Sequence, residues 1–108
     1  MTDHDFKLNS QNLIDKANEV SSAKRPEYTI MSADVLANFK NSAKNLDVPP
    51  LYVWSIFIDK QLSSIQAHIK NPDLQEAEPI ESRFADLYNY VLLGYALFKE
   101  REDSNSII

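Results

Sequence analysis

Apolar residues in this chain recur at helical rather than strand spacing, in four blocks. In the first, Leu13, Ile14, Ala17 and Val20 return every three or four residues, which predicts a short helix over about Asn9 to Ala23 with polar remaining faces. It reads as a peripheral helix or arm. Pro26 fixes its own φ and pushes Arg25 away from helical geometry, so "KRPEYTI" is expected to interrupt it. A second helix is expected from an N-cap at Ser32, with Asp34 in its first turn and Leu36, Phe39, Ala43 and Leu46 facing inward. "DVPP" ends it.

A third helix is expected to start at Pro49 or Pro50, because proline suits a first turn, and to run to about Lys70. A fourth begins near Pro79 and continues to about Arg101, before a frayed "EDSNSII". On a wheel, Leu51, Trp54, Ile58, Leu62, Ile65 and Ile69 form the expected core stripe of the third helix, while Val53, Phe57, Lys60, Ser64 and His68 lie across from it. In the fourth, the expected core stripe of Phe84, Leu87, Tyr88, Val91, Tyr95 and Phe98 opposes Leu93, Leu97 and Tyr90. Both helices are apolar on two sides.

Four short helices leave little protein to cover two such elements. The expectation is an all-α bundle of about four helices completed by homo-oligomerisation, with Phe57, Leu93 and Leu97 at the interface. Three regions follow: an N-terminal helix and linker over 1–31, a helical core over 32–101 and a tail over 102–108.

Composition narrows the function. One glycine in 108 residues leaves little turn material for a sheet and cannot build a phosphate-cradling loop. Cysteine is absent, which removes disulfides, thiolate catalysis and cysteine-bound zinc and points to the cytoplasm. A net charge of −5, with scattered basic residues, argues against direct nucleic-acid binding. No apolar run reaches the ~20 residues of a membrane span, and "MTDHDFKLNSQ" lacks the pattern of a signal peptide.

Asp86 and Asn89 are the anomaly, polar groups on one face of a largely apolar helix. Burying them demands partners. One reading is a ligand pocket, with Lys60 supplying positive charge and Tyr90 able to stack on a base. The other is a structural ion pair from Asp86 to Lys60 or Arg83, with Asn89 fixing helix register. His4 and His68 lack metal-ligand spacing, and Ser63 and Ser64 lack triad partners, so no catalytic or metal residues are assigned.

The runs "NFK" (Asn38 to Lys40), Trp54, "DKQLSSI" (Asp59 to Ile65) and "EPIESRFADLYNYVLLGYAL" (Glu78 to Leu97) resemble the nucleotide modification-associated domains of the first type. Many of these are phage-encoded, and they look like relatives of MazG-like all-α nucleoside-triphosphate pyrophosphohydrolases. The similarity spans about Ser32 to Glu100. It implies an oligomeric bundle that handles a nucleotide-like small molecule, with Lys60, Arg83, Asp86 and Asn89 as the matched polar positions. MazG-like hydrolases hold magnesium with E-x-x-E and E-x-x-D pairs; here Glu78/Glu81 and Glu100/Asp103 match in letters only. Glu81 and Glu100 are nineteen residues apart on one expected helix, about 28 Å, too far to share a metal. The expectation is therefore ligand binding without turnover and without a cofactor. The alternatives are an interaction module with no small ligand, and a magnesium-dependent hydrolase built on Glu81, Asp86 and Asp59.

Overall fold

The computed structural model describes residues 1–29, 33–73 and 79–106. It holds four helices, α1 (Asp3–Thr29), α2 (Ala37–Leu46), α3 (Pro50–Lys70) and α4 (Ile80–Ser106), with no strand among the described residues. α4 is the common support. α1 packs along one side of it and α3 along another, while α2 packs on α3 and reaches α1.

α1 is longer than its apolar stripe. Thr2 starts it, its hydroxyl oxygen accepting the Asp5 N–H at 3.1 Å, and the helix continues through Pro26 to Thr29. An interior proline loses one backbone bond, yet here it sits only three residues from the helix end, where little helix remains to break. The helix therefore does not stop at Arg25. Nor is it a free arm: Ala17 is fully buried, with Leu13, Ile14 and Val20 half-buried beside it.

α2 begins at Ala37, five residues beyond the expected cap, and Ser32 lies outside the described residues. Asp34 organises this entry. Its carboxylate accepts the Leu36 N–H at 2.9 Å and its carbonyl accepts the Ala37 N–H at 3.1 Å. The exit is a Schellman motif, with Val48 N–H bonding Ala43 O, Asp47 N–H bonding Lys44 O and Asp47 left-handed at φ 57°. Pro49 and Pro50 then open α3, whose first orphan N–H proline does not need.

The core gathers where α2, α3 and α4 meet. Leu36, Phe39, Ala43, Val53 and Leu97 are buried together, and Phe39 is 1% exposed. Phe39 stands edge-on to Phe57 and Tyr90 at 6.0 and 6.4 Å, and those two rings stack at 6.0 Å.

These positions invert the expected faces of α4 but only part of α3, where Leu51, Trp54 and Ile65 of the expected stripe do pack inward. Phe57, Leu93 and Leu97, expected at a subunit interface, pack inside the chain. Phe84, Val91, Tyr95 and Phe98, expected in the core, are exposed, as are Leu62 and Ile69. The physical reason lies in α4's small residues. Ala85 and Gly94 allow neighbouring helices to approach closely, and a Cβ built on Gly94 would overlap the Trp54 indole. That close approach also lets Trp54 Nε1–H donate to Tyr90 O at 2.7 Å. The lone glycine serves packing rather than a turn.

Candidate functional site

Asp86 and Asn89 are 8% and 7% exposed, and both face α1 rather than α3. Helix geometry explains the direction: Asn89 lies five residues from Gly94, about 140° round the axis from the position that receives Trp54. The Asn89 side-chain amide donates to Ala17 O at 2.8 Å. Lys24 Nζ approaches Asp86 Oδ1 at 3.4 Å. Both polar groups therefore have partners on α1, as burial requires.

Lys60 is not one of those partners. It stands exposed on α3, six residues from Trp54 and so about 120° away from the side that meets α4. Arg83 is half-buried on α4. Tyr90 belongs to the aromatic core, stacked on Phe57 and touching Phe39, with its carbonyl taken by Trp54. The structure thus brings Asp86 and Asn89 to one seam and leaves Lys60 and Tyr90 elsewhere. Sequence reasoning missed Lys24 as the Asp86 partner. Its signal was there, since Lys24 continues the Leu13–Ala17–Val20 face by one further turn.

A groove of about 210 Å³ opens beside Asn89, lined by Ser21 and Arg25 of α1, Leu92, Leu93 and Ala96 of α4, and Val35. Asn89 lines the groove with its Nδ2 committed to Ala17 O. Arg25 is exposed at its edge. One cation, one buried amide and an apolar wall thus share a single concavity.

A second groove, about 160 Å³, is lined by Lys40, Leu51, Leu97, Glu100 and Arg101 with Pro49 and Pro50. Lys40 is already engaged there, bridging Asp34 and Glu100 at 2.5 Å each. The hydrogen bond from Lys40, helped by the Leu36 N–H, holds the Asp34 carboxyl below its ordinary range; the bond to Asp34, then that to Glu100, raises the Lys40 ammonium.

Glu81 and Glu100 do lie on the one continuous helix α4, and Asp59 is exposed on α3. Among the described residues no three His, Asp or Glu side chains gather as metal ligands. No helix among them is long and apolar enough to cross a membrane. Compared with family models, curated proteins and solved structures, the chain matches none.

Proposed function

We propose that the chain binds a nucleotide or nucleotide-derived small molecule, without turnover, in the groove between α1 and α4. The observation that carries this reading is the meeting of Arg25 with buried Asn89 across an apolar wall. Arg25 offers a planar, permanently charged donor set to phosphate, Asn89 offers its amide oxygen to a base or sugar N–H or O–H, and Leu92 and Leu93 cover an apolar ring face. The groove is smaller than the ~300–1,000 Å³ usual for ligand pockets, so it seats a base-sized fragment and leaves phosphates at its rim. The resemblance to phage-type nucleotide modification-associated domains favours the same ligand class, and a cytoplasmic setting in nucleotide metabolism or the sequestration of a defence signal.

The test is a thermal-shift series with mononucleotides and cyclic dinucleotides, with and without magnesium. A ligand that binds only the folded state raises Tm with concentration, and Arg25→Ala should remove that rise while leaving the unliganded Tm near its starting value. A rise that survives Arg25→Ala, or no rise with any nucleotide, contradicts the proposal.

A second reading, an interaction module with no small ligand, draws on the partners that Asp86 and Asn89 already have in α1. Under it, no nucleotide alters stability.

A further inference from the structure

Phe84, Tyr88, Val91, Tyr95 and Phe98 follow one another at spacings of four, three, four and three residues along α4. That is the 3.5-residue repeat with which one helix packs along another. Inside the chain, α4 uses the opposite side, through Asp86, Asn89, Tyr90, Leu93 and Leu97. The repeating stripe is left outside except for Tyr88, which is half-buried. Val91 is 51% exposed and Tyr95 66%, with Phe84 and Phe98 near two-fifths and Leu62 of α3 exposed to a similar degree.

We infer that this stripe is the seam of a two-fold dimer, with a second copy of the chain as its occupant. Area supports that occupant. A covered aromatic side chain buries ~150–250 Å², so these exposed fractions, with Ile69 added, leave roughly 600 Å² of apolar surface on one face. This lies at the upper end of what a monomer shows in one patch and approaches the ~800 Å² per partner of a stable dimer.

Flanking the stripe, Glu81 and Lys99 fall about 80° to one side of Val91 and Arg83 and Arg101 about 80° to the other, so a two-fold pair can set glutamate against a cation in either direction. The inference stands independently of any ligand in the α1–α4 groove.

Sedimentation equilibrium over a concentration series up to tens of micromolar tests it. The wild-type chain should approach twice its 12.4 kDa mass. Val91→Glu, and separately Tyr95→Lys, should weaken association at least ten-fold while circular dichroism retains the helical signal, since both positions are exposed in the subunit. A wild-type monomer at every concentration, or a dimer indifferent to both seam substitutions, overturns the inference.

Discussion

α4 meets its two neighbours by different chemistry. Against α3 it offers a small residue and aromatic surface: Gly94 receives the Trp54 indole, and Tyr90 stacks on Phe57. Against α1 it offers polar groups, with Asn89 bonded to Ala17 O and Asp86 paired with Lys24. Packing over apolar area is strong and weakly directional, whereas a hydrogen bond from a buried amide contributes less but fixes one register. One helix thus carries a cohesive seam and a registering seam. The candidate ligand groove opens at the second, where fewer large apolar side chains fill the space.

Substitutions of decreasing size can break or sharpen this contrast. Phe39→Ala removes the most deeply buried ring and should cost ~3–5 kcal/mol in denaturant unfolding, because the aromatic cluster loses its centre. Gly94→Ala should cost ~1–3 kcal/mol, since the new methyl would have to displace the Trp54 ring. Helix propensity pulls the other way by ~1 kcal/mol. If Gly94→Ala stabilises the protein, the close approach of α3 and α4 is wrong. Asp47→Gly, outside both seams, should instead raise stability by ~1 kcal/mol, by relieving a left-handed non-glycine residue at the end of α2.

The smallest effect belongs to Asp34→Asn, which weakens the bridge through Lys40 to Glu100. With the pair about one-third exposed, solvent limits the loss to a few tenths up to ~1 kcal/mol. Its pH dependence has a definite sign. Asp34 is depressed in the folded state, so its contribution is present above the ordinary carboxylate pKa of ~3.9 and fades as pH falls through the lower folded value. The Tm gap between wild type and Asp34→Asn should therefore persist near neutrality and close in acid. Lys40 is raised, so its part persists to neutral pH and disappears only in strong alkali, as pH rises through the folded value.

Much of this fold was legible in the sequence. Two consecutive prolines placed the start of α3 and Pro79 that of α4, because proline favours first turns and ends preceding helices. The face of α1 was also legible, since only one side of that helix is apolar. The face of α4 was not, and that of α3 only in part, through Leu51, Trp54 and Ile65. When both sides of a helix are apolar, hydrophobic periodicity cannot say which side meets the rest of the chain. What marked the inner face of α4 was Ala85, Asn89 and Gly94, whose small or hydrogen-bonding side chains admit a neighbouring helix. The sequence put Lys24 on the apolar face of α1 but not against Asp86, since the two lie 62 residues apart and only the docking of α1 brings them close.

The account depends most on the polar residues of α4 holding α1 in place, and amide hydrogen exchange on Asn89→Ala tests this directly. Losing the bond to Ala17 O should cost ~1–3 kcal/mol, because a buried carbonyl is left without its donor. The predicted result is faster exchange along α1, around residues 10–24, with α3 and the central turns of α4 still protected. Unchanged protection in α1, or an equal loss throughout the chain, would contradict it.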